Sequence, residues 1–322
     1  MISGKKIFIF GGSGSLGNAL IQRYLKDNTI VNYSRDETKH WELSLKYKSN
    51  NLSSIIGDIR DKTRVEQILL RENPHIIIIA AAQKRIEAAE YNINETILTN
   101  IVGVQNVLDS VEKNKIALTN LETVCYTGTD KSVSSVNAYG MTKALAMKLM
   151  VEKSLYIKDI KFASVLYGNV LNSRGSIIQI LDRVGTDPTS THFTITHPNM
   201  TRFIMTLDQS VDLIEHAILY AESGDIVVPE IVSMKVQHLI EIFSEKYNKP
   251  IVVGSLRPGE KMLESLINDT QAMSMVKGEK YYYIKPPYKN ICIPEQAMDY
   301  NSSMNPLSKE ELKEYLMQLN LL

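Results

Sequence analysis

The chain has 322 residues and a mass of 36.4 kDa, room for about two domains and for a core that needs neither disulfides nor a structural metal. Its 36 Lys and Arg balance 36 Asp and Glu, which argues against the basic excess of a general nucleic-acid binder. The apolar fraction of 44% and charged fraction of 22% exclude wholesale disorder.

In chain order, residues 7–10 form a short apolar strand that runs into glycines, and residues 15–26 carry Leu16, Ala19, Leu20 and Leu25 near helical period. Residues 30–33 and 53–56 are further strands, and Asp36 and Asp61 are placed to cap the helices behind them. Residues 75–80 hold four consecutive isoleucines, a strand apolar on both faces that suits the middle of a covered parallel sheet. One long helix is expected over 94–113, a fifth strand over 121–126, a helix over 138–153 and a sixth strand over 161–166. This alternation predicts an α/β fold, a Rossmann-type doubly wound parallel sheet.

Of ten prolines, Pro74 alone precedes residue 188, so the second half has more turns. Thr206 and Gln209 make a capping box before an amphipathic helix. Residues 236–247 form another helix, Tyr281 to Ile284 a strand, and residues 308–319 a last helix. The expected organisation is a cofactor-binding domain over 1–167 and a smaller α+β substrate lobe over 168–322, with the helix near 206–222 packing back on the first domain.

Cys125 and Cys292, with six histidines, form no CxxC or HExxH spacing; no metal site is expected, and both thiols are read as buried in a reducing compartment. The longest apolar run, 76–82, is far short of the ~20 residues a membrane helix needs. The apolar stretch behind the basic start is too short for a signal peptide. A soluble, cytoplasmic protein is the expectation, with no membrane and no nucleic acid among its partners.

Gly11, Gly14 and Gly17 follow the first strand and open the first helix, with Ser13, Ser15 and Leu16 between them. Such a loop brings backbone close to a pyrophosphate and aims helix N–H groups at its charge. The second strand ends in Ser34 and Arg35 with Lys39 a turn later. NAD-selective sites commonly carry an acid here; a neutral end followed by two cations fits a 2′-phosphate, so NADP is the expected cofactor. Asp58, after Gly57, is placed to accept from the adenine amino group.

Tyr139 and Lys143 are spaced YxxxK and share a helix face. The lysine can lower the tyrosine pKa, making it a base for an alcohol proton. Thr129 ends the fifth strand and completes a Thr-Tyr-Lys set. Asp130 and Lys131 stand at the mouth of the sheet, where ligands bind in open α/β folds. They read either as an added acid and base or as a surface ion pair.

Taken together, these segments resemble the UDP-N-acetylglucosamine 4,6-dehydratase (5-inverting) family of extended short-chain dehydrogenases/reductases. Gly128-Thr129-Asp130-Lys131-Ser132 resembles its STDKA segment, and Tyr33-Ser34-Arg35-Asp36-Glu37 its YSRDE. Gly57-Asp58-Ile59-Arg60-Asp61 is similar to GDVRD, Ala80-Ala81-Ala82-Gln83-Lys84 to AAALK, and Thr99-Asn100 to TN. Tyr167-Gly168-Asn169-Val170, Ser173-Arg174-Gly175-Ser176, Met200-Thr201-Arg202-Phe203 and Arg257-Pro258-Gly259-Glu260-Lys261 continue the series in order. Phe10, Gly128 and His197 depart from the family's Thr, Ser and Asp.

The resemblance implies UDP-GlcNAc as substrate, NADP as cofactor and a homo-oligomer paired through the helices near 94–113 and 138–153. It implies that Tyr139 takes the 4-hydroxyl proton, Lys131 the C5 proton, and that Asp130 protonates the 6-hydroxyl. Ile59, Ala80, Ala81, Ala82, Lys84 and Asn100 join the cofactor set, and Lys84, Asn169, Arg174, Arg202, Arg257 and Glu260 surround the UDP-sugar. The alternatives are another nucleotide-sugar dehydratase or epimerase, although glucose-type dehydratases usually carry Asp-Glu in place of Asp-Lys, and a non-catalytic NADP-binding regulator.

Overall fold

The computed structural model describes residues 1–289 and 299–322; Cys292 lies outside the described residues, and Cys125 is buried. The first half runs β1 (Lys6–Phe10), α1 (Ser15–Tyr24), β2 (Thr29–Ser34), α2 (Glu37–Tyr47), β3 (Leu52–Ile56), α3 (Lys62–Glu72) and β4 (Ile76–Ile79). It continues through α4 (Ile86–Tyr91), α5 (Ile93–Ile97), α6 (Gly103–Lys113), β5 (Thr123–Thr127), α7 (Ala138–Tyr156) and β6 (Lys161–Val165). These six strands lie in the order β3-β2-β1-β4-β5-β6, each pair parallel. The order reverses between β1 and β4, which opens a crevice at their carboxyl ends. The fold is Rossmann-like.

Alternation along the strands divides the core. Phe8, Phe10, Ile77, Ile79, Val124 and Tyr126 point to one face, and Ile7, Ile9, Ile76, Ile78 and Cys125 to the other. Helices cover both, which is why β4 can be isoleucine throughout. The caps lie where the residue types point: Asp36 accepts from Lys39 N at 3.1 Å and Asp61 from Arg64 N at 3.0 Å, each worth about 1 kcal/mol.

The helix expected over 94–113 is interrupted. A π-helical turn, Leu98–Val102, separates α5 from α6. One extra residue in a turn leaves the apolar pattern almost unchanged, so periodicity does not reveal it.

The second half comprises β7 (Asn169–Val170), α8 (Ile177–Thr186), β8 (Phe193–Ile195), β9 (Thr201–Met205), α9 (Leu207–Tyr220), β10 (Ile226–Pro229), β11 (Ser233–Lys235), α10 (Val236–Tyr247) and β12 (Ile251–Val253). Then come β13 (Ser265–Ile267), α11 (Asp269–Ala272), β14 (Met275–Lys277), β15 (Tyr281–Ile284), β16 (Tyr300–Asn301), β17 (Pro306–Leu307) and α12 (Lys309–Gln318). Much of this returns to the large sheet. β10 adds beside β6 in parallel, and β15 and β14 follow antiparallel, giving nine strands. α9, opened by the reciprocal Thr206–Gln209 box, packs Val211, Leu213, Ile214 and Ala217 with Ile7, Ile9 and Leu20. A separate small core joins Ile178, Leu181, Phe193, Leu239, Phe243, Leu312 and Leu316. Among the described residues no helix is long and apolar enough to cross a membrane.

Candidate active site

A cleft of about 1160 Å³ follows the carboxyl ends of the strands and extends to residues of the second half, among them Leu181, Ile240 and Arg257. That exceeds the upper range for one small ligand and leaves room for a dinucleotide beside a nucleotide sugar. Gly11, Ser13, Gly14, Ser15, Leu16 and Gly17 form its floor. Gly11 has φ +87, and a Cβ there would lie 2.8 Å from Ala81 N. At Gly17 a Cβ would lie 2.4 Å from the Gly12 Cα, so the loop and α1 fit together only as glycines. The first-turn amides of α1 have no intrahelical acceptors, and with no side chain at Gly14 they are open to a phosphate. These features fit a dinucleotide, with Ala80, Ala81 and Ala82 bordering its far side.

Ser34, Arg35, Lys39, Asp58 and Ile59 line the adenosine end. Arg35 faces Asp58 at 3.6 Å, and Lys39 pairs with its helix cap, Asp36. The Asp58 carboxylate accepts from Arg60 N at 3.0 Å, Nε at 2.9 Å and Nη2 at 2.7 Å. Burial acts to raise its pKa, but the Arg60 bonds and the Arg35 charge outweigh that and hold it below the ordinary value. Much of the acceptor capacity expected for adenine is therefore taken by arginine.

Thr129, Lys131, Tyr139 and Lys143 meet on one wall. α7 holds the tyrosine and lysine one turn apart, and its start is fixed twice. Asn137 accepts from Gly140 N at 2.8 Å, and Glu90 accepts from Ala138 N at 2.6 Å. Burial raises the Tyr139 pKa, helped by Tyr167 and opposed by the Thr129 hydroxyl. Burial lowers Lys143 to about 7. Its ammonium bonds the Thr127 carbonyl and stands 4.1 Å from the centre of the Tyr126 ring. The protein groups alone therefore hold the phenol above its ordinary pKa, chiefly by burial, and Lys143, turned toward the Thr127 carbonyl, does not offset it.

Lys131 Nζ donates to Asp130 Oδ1 at 3.0 Å and to Asn169 Oδ1 at 2.8 Å. Asp130 is fully buried behind it and does not line the cleft. Its Oδ1 also accepts from Thr129 Oγ1 at 3.0 Å and Lys131 N at 2.9 Å, while Oδ2 is buried with no partner. Gly128, where the family pattern has Ser, has no room for a side chain: a Cβ would lie 2.6 Å from the Val165 carbonyl oxygen. Phe10 packs edge-on to Tyr33 at 5.3 Å. His197 accepts from Asn199 N at 3.1 Å and does not line the cleft.

Lys84, Asn169, Arg174, Arg202, Arg257 and Glu260 line the side toward the second lobe. Lys84 donates to the Arg174 carbonyl at 3.0 Å, and burial together with Arg85 and Arg174 lowers its pKa. Arg174 N donates to Ser15 Oγ at 2.9 Å, joining the substrate side to the glycine loop. Arg202 is buried and donates to the Thr201 carbonyl at 2.8 Å. Arg257 N donates to Glu260 Oε2 at 3.2 Å. Asn100 is buried outside the lining; it donates to the Gln83 carbonyl and Thr142 Oγ1, both at 3.1 Å, and so links the Ala80 loop to α7.

Asn137 and Glu90, which fix the start of the tyrosine helix, were not among the residues the sequence pointed to. Asn137 directly precedes the YxxxK helix and reads as a cap. Glu90 carries no such local signal. Asn137 Nδ2 also donates to the Gly259 carbonyl at 2.9 Å, which brings the Arg257 loop onto the start of α7.

The sequence matches the family described as polysaccharide biosynthesis protein over residues 7–286. The chain belongs to this family. It is 35% identical to a UDP-N-acetylglucosamine 4,6-dehydratase (inverting) of Campylobacter jejuni, over 97% of this chain and 91% of that one. It is 33% identical to a UDP-glucose 4-epimerase of Rickettsia bellii, over 99% and 97%. Its structure is similar to Pen from Bacillus thuringiensis, with a TM-score of 0.90, 30% identity and 99% of each chain covered.

Proposed function

We propose that this member of the polysaccharide biosynthesis protein family is a nucleotide-sugar-modifying enzyme, an NADP-dependent UDP-N-acetylglucosamine 4,6-dehydratase that inverts C5. Its product would be UDP-2-acetamido-2,6-dideoxy-β-L-arabino-hexos-4-ulose. The observation that carries this reading is the Lys131 ammonium, held on the cleft wall between Asp130 and Asn169 beside Tyr139. Interconversion at C4 alone needs no base at C5; elimination across C5–C6 does, and Lys131 is placed to be one.

The glycine loop would hold the pyrophosphate, Arg35 and Lys39 the 2′-phosphate, and Tyr139 with Lys143 the nicotinamide ribose. NADP⁺, when bound there, would supply the hydride acceptor for C4 and the hydride donor for C6. Tyr139 removes the 4-hydroxyl proton, which requires Lys143 to turn from the Thr127 carbonyl toward the phenol. The resulting ketone acidifies C5–H; transfer of a proton from the Lys131 ammonium to its partner Asp130 leaves a neutral amine and a carboxylic acid, and the amine takes the C5 proton. Asp130 gives its proton to the departing 6-hydroxyl, which leaves as water; side-chain rotation brings the acid to the cleft. Reprotonation of C5 on the opposite face, with Tyr139 or Lys84 as donor, inverts the centre. Arg257 and Glu260 would sit at the diphosphate and uridine.

Mass analysis of the product from UDP-GlcNAc tests this. Loss of one water supports the dehydratase. An unchanged mass with conversion to the 4-epimer would give the epimerase reading, which the Rickettsia relative favours. A homo-oligomer is part of the proposal: α7 leaves Met141, Leu145 and Tyr156 exposed at 49, 55 and 67%, and a monomer by light scattering would contradict it.

A further inference from the structure

His40 lies one residue beyond Lys39 on α2, buried and outside the cleft lining. Its Nε2 is 2.6 Å from Ser34 Oγ. Ser34 Oγ is 2.9 Å from Ser13 Oγ and 3.5 Å from Asn32 Oδ1. Ser13 and Ser34 both line the cleft, so the imidazole backs a pair of hydroxyls at the adenosine end.

The tautomer follows from the other ring nitrogen. His40 Nδ1 is buried with no partner. A buried N–H without an acceptor is rarer than an under-used lone pair, so the hydrogen belongs on Nε2 and His40 donates to Ser34. Burial lowers the imidazole pKa, with Asp36 opposing it, in keeping with a neutral ring. The donated bond fills one lone pair of Ser34 and directs its single hydrogen to Ser13 Oγ, which leaves the Ser13 hydrogen as the one free to face the cleft.

That arrangement discriminates between ligands. A ribose 2′-hydroxyl can donate or accept and would pair with the Ser34–Ser13 hydroxyls in either orientation. An ionised phosphate only accepts, so it gains from a hydroxyl pair whose relay already ends in a donor. We propose that His40 is a positioning residue for cofactor choice, fixing the Ser34–Ser13 hydroxyl relay in the orientation that donates to a 2′-phosphate beside Arg35 and Lys39. The inference rests on the NADP reading above and adds a residue from behind the cleft wall.

The test is calorimetric binding of adenosine 2′,5′-bisphosphate and of 5′-AMP, which differ only in the 2′-phosphate, to the full chain. Wild type is expected to prefer the bisphosphate. In His40→Phe the bisphosphate should weaken about tenfold, the worth of one hydrogen bond to a charged group, while 5′-AMP binds as before. His40→Gln, which keeps an N–H donor, should recover most of the loss, and Ser34→Ala should reproduce the His40→Phe pattern. A wild-type preference that His40→Phe retains in full, or an equal loss for both nucleotides, overturns the role of His40. Equal binding of both by wild type instead overturns the NADP reading on which it stands.

Discussion

Lys131 Nζ donates to Asn169 Oδ1 at 2.8 Å across a separation of 38 residues. That bond ties the turn after β5 to the first strand beyond the Rossmann-like half, so the proposed base is held from both sides of the cleft. Asn169→Ala should let the ammonium swing toward Asp130 alone. Loss of a hydrogen bond worth about 1 kcal/mol, combined with misplacement of the amine, predicts a fall in kcat of about five- to tenfold. Cofactor affinity by calorimetry should not change.

Gly140 sets the distance between the base and the tyrosine helix. A Cβ there would lie 2.0 Å from the Lys131 carbonyl oxygen and 2.4 Å from Ser135 Oγ, and the carbonyl belongs to backbone that cannot rotate aside. Gly140→Ala should therefore cost about 1–3 kcal/mol by overpacking, although alanine is the better helix former. Thermal melting should show the loss, and the fraction that remains folded should turn over more slowly because Tyr139 and Lys131 are pushed apart.

The parts legible in the sequence were those written locally. Four isoleucines marked β4, Asp36, Asp61 and Thr206 marked three helix starts, and the glycine spacing with YxxxK placed both ends of the cleft. What stayed hidden depends on distant pairing. β10, β14 and β15 rejoin the large sheet through backbone bonds that leave no local pattern. The π turn at Asn100 changes the helix by one residue. His40 touches the cleft wall only through Ser34, and a buried imidazole one residue from a lysine looks like any core histidine. The burial of Asp130 was also unreadable, since an Asp-Lys pair in a loop has the composition of an exposed one.

Lys143 gives a dependence on pH whose sign can be worked out. Burial lowers its pKa to about 7 from 10.5, so between those values the unfolded chain binds more protons than the folded one. Stability of the cofactor-free protein from this group therefore rises as pH increases from about 7 to 10.5, and the full penalty is present below 7. Lys143→Met removes the term. Thermal melts should show the variant gaining most over wild type at pH 6 and least near pH 10; a constant difference would show that Lys143 carries no such shift.

Tyr139 and Lys131 are assigned to successive steps, so their variants should fail differently. Tyr139→Phe should leave UDP-GlcNAc bound with no reduced cofactor formed in a single turnover. Lys131→Met should still oxidise C4 and accumulate reduced cofactor, seen by its near-ultraviolet absorbance, while elimination slows roughly 10²–10⁴-fold. Normal dehydration by the lysine variant would return Asp130 and Lys131 to a structural ion pair.

The most direct test of the dehydratase reading is proton NMR of the reaction with UDP-GlcNAc in D₂O. Removal of the C5 proton by Lys131 and its replacement from the opposite face predict a 6-deoxy-4-keto product. That product should carry deuterium at C5, a new C6 methyl signal and inverted configuration at C5. A mixture of UDP-GlcNAc and its 4-epimer that keeps the original C5 proton would contradict the account.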